Sequence, residues 1–189
     1  MRQMAGVLLT GGASTRMGTD KARLVVAGET LAARAARVLA SVCDPVVEVG
    51  PRVSGLPAVE EEPRGAGPLV ALLAGVGALG DPRVVVLLAC DLPFVEPALL
   101  QLLVEWPGTG TVIPVVDGRF QYACARYGAA ALDEARAALR NGVSSLRAIA
   151  GADCEYLTAD DWGEVTTARA FADVDTPDDL ERLGLQPSP

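Results

Sequence analysis

Apolar positions along this chain fall into short unbroken runs and longer helical repeats. Met4–Leu9 is an apolar run closed by Gly11-Gly12 and predicts a buried strand. Arg83–Ala89 is the clearest strand, because Val84 through Leu88 show no alternation, as expected of a strand covered on both faces. Pro45–Val49, Leu56–Val59, Thr111–Val116, Phe120–Tyr127 and Phe171–Val174 predict further strands. Between them, Leu31, Ala35, Val38, Leu39 and Val42 fall on one helical face, with Arg34 and Arg37 off it and Thr30 placed as N-cap. Pro68 suits the first position of an apolar helix running to about Gly80. Pro97–Val104 predicts a helix, and so does the segment marked by Leu132, Ala135 and Leu139, which Asn141-Gly142 stops. Ser144–Ala150 predicts a short helix. Thr176-Pro177-Asp178-Asp179 opens the last one with a cap, a proline and first-turn acids. Strands and helices that alternate at short spacing imply an α/β domain with a mostly parallel sheet and helices on both faces. Ligands of such sheets bind beyond the carboxyl ends of the strands.

A chain of 189 residues fits one domain, placed here at residues 1–185 with a tail at 186–189. Sixteen basic and 24 acidic residues leave a net charge of −8, which argues against nonspecific binding to nucleic acid or to an anionic membrane. The longest uncharged stretch, Gly65–Gly80, falls short of the ~20 residues of a membrane span. Met4–Leu9 is likewise too short for the apolar core of a signal peptide, so the chain reads as cytoplasmic. Cys43, Cys90, Cys124 and Cys154 are far apart with no C-x-x-C, so they are expected as free thiols. The chain has no histidine. That removes Ser-His-Asp and Cys-His nucleophiles and every histidine base or metal ligand. Any chemistry must run on carboxylates, Lys, Arg, backbone dipoles and hard metal ions.

The first candidate for such chemistry is the loop from Leu9-Thr10-Gly11-Gly12 through Arg16 to Asp20-Lys21. Its glycines let backbone approach a ligand, successive N–H groups in such a loop can cradle an anion, and Arg16 and Lys21 add two cations for a polyphosphate. It is neither a Walker A motif nor G-x-G-x-x-G. Asp91, at the end of the unbroken apolar strand, can hold Mg²⁺, a hard cation that shares its shell with substrate phosphates. Otherwise it is a turn aspartate ahead of Pro93. Alternation along a strand would put Asp173 and Asp175 on one face, where they could complete a metal site with Asp91. Asp178 and Asp179 simply suit a helix N-terminus. Glu60-Glu61-Glu62 is either a solvated acidic turn or a carboxylate site. Arg119, Tyr122, Arg126, Arg140, Asn141, Ser144, Ser145 and Arg147 include candidates for a second, anionic substrate, although most such side chains are structural.

The pattern Gly-Gly-x-Ser-x-Arg-Met-Gly-x-Asp-Lys over Gly11–Lys21 resembles the signature of nucleotidyltransferases of the GT-A-like fold, and most of all that of the molybdenum cofactor guanylyltransferases. Gly67-Pro68-Leu69, Cys90-Asp91-Leu92-Pro93 and Asp173–Leu180 match in the same order, so the resemblance covers nearly the whole chain. It implies a three-layer Rossmann-like fold and transfer of GMP from GTP to the phosphate of molybdenum-bearing molybdopterin. It also implies that Arg16, Lys21 and Asp91 are catalytic. Leu9, Thr10, Gly11, Gly12, Lys21, Glu61 and Asp91 would bind the nucleotide, and Asp91 with Asp175 would bind Mg²⁺. Handover of the product to molybdoenzymes or their chaperones is implied as well. Gly11-Gly12 with Gly67-Pro68-Leu69 resembles the guanylyl rather than the cytidylyl branch. Four positions depart from the family: Thr10 replaces the usual alanine, Val49 replaces an asparagine, and Asp173-x-Asp175 stands where Asn-x-Asn is frequent. The alternatives are a sister transferase, passing a cytidylyl group to molybdopterin or NMP to a sugar or alcohol phosphate, and a nucleotide-binding regulatory protein without catalysis.

Overall fold

The computed structural model describes residues 4–11, 20–151 and 153–186. In chain order its elements are β1 (Met4–Leu9), β2 (Val25–Val26), β3 (Glu29–Thr30), α1 (Leu31–Ala40), β4 (Cys43–Val49), β5 (Ala58–Val59), α2 (Pro68–Ala78), β6 (Val85–Ala89), α3 (Pro97–Glu105), β7 (Thr111–Val116), β8 (Arg119–Phe120), β9 (Cys124–Tyr127), α4 (Ala129–Arg140), β10 (Cys154–Leu157), α5 (Ala159–Trp162) and α6 (Pro177–Leu183). Short 3₁₀ turns cover Lys21–Arg23, Leu146–Ile149 and Ala168–Phe171.

The main sheet has the order β10-β7-β9-β6-β1-β4-β5, with β8 folded back on β7. β5, β4, β1 and β6 are parallel; β9 runs against both β6 and β7, and β10 is parallel to β7. β7 and β10 therefore point the same way as β6, and only β8 and β9 are reversed. This is the expected α/β architecture with a mostly parallel sheet.

Alternation along β1 sets the layers. Leu8 packs with Ala35 and Leu39 of α1 and Leu100 and Leu103 of α3 on one face. Val7 and Leu9 pack with Leu72 and Val76 of α2 and Leu132 and Ala135 of α4 on the other. Because both faces are covered, the central strands read as unbroken apolar runs. α2 lies close on the sheet because Gly75 has no side chain: a Cβ there would sit 2.6 Å from Val7 Cγ1.

Two expectations are corrected. Phe120–Tyr127 is not one strand. A turn in which Cys124 N donates to the Gln121 carbonyl (3.0 Å) divides it into β8 and β9. Phe171–Val174 is not a strand either: Phe171 closes a 3₁₀ turn and packs edge-on against Trp162, 5.4 Å between centroids. Val174 is extended and wholly buried, but its amide makes a single bond, to the Asp91 carbonyl (2.9 Å), rather than a ladder. β10 and α5 have no counterpart among the expected elements. β10 leaves Glu155 and Tyr156 exposed, so it lacks the apolar pattern that marks the central strands.

Candidate active site

The carboxyl ends of the parallel strands bring distant residues together. β1 runs into Thr10 and Gly11, β4 into Gly50, β5 into Glu60-Glu61, and β6 into Cys90-Asp91. The Val49 carbonyl accepts from Thr10 N (3.1 Å) and Gly11 N (3.3 Å), and Cys90 N donates to the Leu9 carbonyl (3.0 Å). These bonds extend the sheet past its strands, and they occupy the amides of Thr10 and Gly11. Leu9 and Thr10 are buried, so the exposed backbone of Gly11 is the part of this segment open to a ligand. Gly50 has φ +147°, and a Cβ on it would meet Thr10 Oγ1 and lie 2.6 Å from Gly11 N. Only glycine lets the two strand ends pass this closely.

Glu61 is buried despite its position in an acidic run. Its Oε1 accepts from Gly65 N (3.0 Å), and its two oxygens lie 3.5 and 3.6 Å from where a Gly11 Cβ would be. The carboxylate therefore stands directly beside the end of β1, fifty residues away in sequence.

Asp91 is half-buried, and its carbonyl holds the extended segment at Val174. Burial pushes its carboxyl up to about 6; the Lys21 ammonium pulls it down, while the Asp175 and Asp173 carboxylates push it up. The four charged groups thus share one field. Lys21 forms an ion pair with Asp175. Its position is set by Asp20, which caps the 3₁₀ turn by accepting from Ala22 N (3.1 Å). Thr176 and Asp179 form a capping box at the start of α6, and the Asp179 carboxylate also accepts from Asp175 N (3.0 Å), which fixes the backbone beneath Asp175. Asp179 is therefore a structural cap. The positions expected for Gly12 and Arg16 lie outside the described residues.

A family model for the MobA-like NTP transferase domain matches residues 6–157. The chain belongs to the MobA-like NTP transferase family. A probable molybdenum cofactor guanylyltransferase from Chloroflexus aggregans is 33% identical to it over 199 residues, covering 94% of this chain and 92% of the relative. A probable molybdenum cofactor guanylyltransferase from Opitutus terrae is 39% identical over 154 residues, 76% of each chain. The fold is shared with the crystal structure of molybdopterin-guanine dinucleotide biosynthesis protein A from Archaeoglobus fulgidus. That match has a TM-score of 0.76 at 22% identity and covers 95% of this chain and 96% of that one. This member of the MobA-like family is a nucleotidyltransferase.

Among the side chains considered for an anionic second substrate, Tyr122, Ser145 and Arg147 line one cavity with Asp91. Arg126 does not belong with them. It is fully buried and donates to main-chain carbonyls at the end of α3 and beyond, so it is a structural residue. The Ser144 carbonyl accepts from Leu69 N (3.0 Å) at the start of α2. Among the described residues no helix is long and apolar enough to cross a membrane. All four cysteines are free, as expected.

One site residue went unnoticed in the sequence. Glu48 lies wholly buried within β4, between Val47 and Val49. It accepts from Thr10 Oγ1 (2.6 Å), Val53 N (3.0 Å) and Ser54 N (2.9 Å), and from the Ser54 hydroxyl. It therefore ties Thr10 to the segment that follows β4. Its only sequence signal is a carboxylate inside an apolar run. Burial raises its pKa, but bonds from Ser54, Thr10 and the two amides outweigh this and hold it below its ordinary 4.5. A depressed carboxylate adds stability that is present above about pH 4.5 and is lost as the pH falls through the lower folded value. Glu48→Gln is expected to destabilise the protein by about 1–2 kcal/mol at neutral pH. Paired denaturant titrations should show the difference constant above that pH and shrinking below it. A difference that instead grew towards acid would contradict the assignment.

Proposed function

We propose that this enzyme transfers GMP from GTP to the phosphate of molybdenum-bearing molybdopterin, giving molybdopterin guanine dinucleotide and pyrophosphate. The observation that carries this reading is the Glu61 carboxylate, buried beside Gly11 at the end of β1. Guanine presents two N–H donors on one edge, and a carboxylate accepts both; adenine offers an acceptor at the corresponding ring nitrogen. The names of relatives that match over nearly the full length support the same reading.

In the reaction, an oxygen of the acceptor phosphate attacks the α-phosphorus of GTP. A new P–O bond forms there as the bond to the β-phosphate oxygen breaks, and pyrophosphate carries away the electron pair. The nucleophile is already anionic, so a chain without histidine needs no base. What the protein must provide is alignment and neutralisation of negative charge. Lys21, placed by the Asp20 cap, supplies one cation, and Arg16 the second.

The residues present fit a divalent cation. Asp91 and Asp175 offer only oxygen donors, and Asp91 is a half-buried carboxyl held near other carboxylates, which a cation would relieve. Among the described residues no three His, Cys, Asp or Glu side chains form a closed metal cage. Mg²⁺ keeps water and phosphate oxygens in its shell, so two carboxylates could hold it there. Bound there, Mg²⁺ would neutralise phosphate charge.

Calorimetry of GTP, CTP, ATP and UTP, each with and without Mg²⁺, tests the proposal. Magnesium-dependent GTP binding at least about tenfold tighter than ATP is expected, a margin of about 1.4 kcal/mol. Glu61→Gln should erase that margin. Preference for CTP or UTP would keep nucleotidyl transfer and overturn the guanylyl assignment. Binding of neither GTP nor CTP would overturn the whole reading.

A further inference from the structure

The cavity beside Asp91 has a volume of about 320 Å³. That lies at the small end of the ~300–1,000 Å³ typical of ligand pockets. Asp91 and Asp173 border it, which makes it continuous with the carboxylate cluster. Phe120 and Tyr122, from β8 and the turn leading to β9, also line it. Their rings stack with centroids 5.7 Å apart at an interplanar angle of 23°. Phe120 also meets Tyr156 of β10 edge-on at 5.0 Å. Phe120 is 44% exposed, so one large ring of the lining stands open to solvent, with Tyr156 packed behind it outside the lining. The platform is fixed from below, since the hydroxyl of wholly buried Tyr127 donates to the Tyr122 carbonyl (2.7 Å). Arg147 is the one cation in the lining, and among the described residues it makes no ion pair.

Stacked rings offer a flat apolar face, a lone guanidinium offers a partner for negative charge, and Gln121 and Ser145 add hydrogen-bonding groups. Such a lining suits a planar, nitrogen-rich heteroaromatic ring that carries an anionic arm. The reaction needs the acceptor phosphate to reach the α-phosphorus near Asp91, and a ring seated here would extend its arm in that direction.

We infer that this cavity is the acceptor subsite: Phe120 and Tyr122 stack on the acceptor's ring, and Arg147 holds its anionic part. The inference rests on the proposed transfer to a pterin phosphate and adds the residues that select the acceptor.

The test uses the full chain and a stable fluorescent probe, neopterin monophosphate, titrated into wild type, Phe120→Ala, Arg147→Ala and, as a control, Arg119→Ala. Arg119 neighbours Phe120 on β8 and is absent from the cavity lining. GTP affinity is measured on each variant in parallel, which also reports that it is folded. Phe120→Ala and Arg147→Ala should each weaken pterin binding about five- to tenfold, the scale of one lost aromatic stack or charge contact. GTP affinity should be unchanged, and Arg119→Ala should match wild type. Wild-type binding of the probe with both cavity variants unaffected would overturn the subsite while leaving the proposed function intact. Weakened GTP binding in the same proportion would overturn it as well, because the residues would then act on the fold or the nucleotide. Failure of wild type to bind the probe while GTP still binds would remove the pterin acceptor, and the subsite with it.

Discussion

Asp91→Asn is expected to lose turnover by at least about a hundredfold while gaining thermal stability. The two effects have one cause. In the protein alone, burial holds the Asp91 carboxyl at about 6 against an ordinary 3.8. A carboxyl raised on folding opposes the folded state when it is ionised. The cost is complete above about pH 6 and vanishes as the pH falls below about 3.8, where both states are protonated. Removing the charge should therefore stabilise the metal-free protein at pH 7.5 by about 1–3 kcal/mol. The same substitution removes the charged oxygen that the proposed mechanism places next to the phosphates. Steady-state kinetics at saturating GTP and Mg²⁺, with thermal melts in EDTA, read both. If Asp91→Asn melted lower than wild type and kept its kcat, the carboxylate would be a structural turn residue and its assignment to the site would fail.

Arg126→Met should be the most damaging single substitution for stability, at about 3–5 kcal/mol. Arg126 is wholly buried in β9. It donates to the carbonyls of Leu103 (3.0 Å), Trp106 (2.7 Å) and Gly110 (3.0 Å) and more distantly to that of Pro107 (3.4 Å). One guanidinium thus satisfies the end of α3 and the chain leading into β7. It also puts a cation where the helix dipole is negative. Burial lowers its pKa and Glu155 raises it. Methionine fills much of the volume and leaves those carbonyls buried without a donor. The melting temperature should fall by about 10 °C. GTP affinity measured well below the transition should be unchanged. A loss of nucleotide binding without a loss of stability would return Arg126 to the substrate site.

Much of the fold was legible because its signals are local. The apolar run of β6, the Thr30 cap of α1, Pro68 at the start of α2 and the capping box at Thr176 each act within one turn or one strand. The misread segments are those whose conformation depends on a distant neighbour. Gln121 turns the chain between β8 and β9 by donating its amide to the carbonyl of Pro114. Val174 is extended because Asp91 holds it, and β10 is an edge strand defined only by its pairing with β7.

The site divides in the same way. Loop composition and the ordered motifs singled out Gly11, Lys21, Asp91 and Asp175, because residue type and spacing are enough to nominate groups for phosphate and metal chemistry, whereas only the family resemblance picked Glu61 out of its acidic run. Which of them meet is a property of the folded chain. Lys21 and Asp175 are 154 positions apart and form an ion pair; Glu61 comes to rest against Gly11; Tyr122 and Arg147 share a cavity that Arg126 does not enter. Glu48 and Arg126 show the limit most clearly. By itself the sequence determined the alternation of strands and helices and the chemical inventory at the strand ends, since periodicity and short motifs are properties of neighbouring residues. Tertiary structure alone decided the partner of each buried charge, because a carboxylate or guanidinium inside an apolar strand is stabilised only by donors or carbonyls that another segment brings to it.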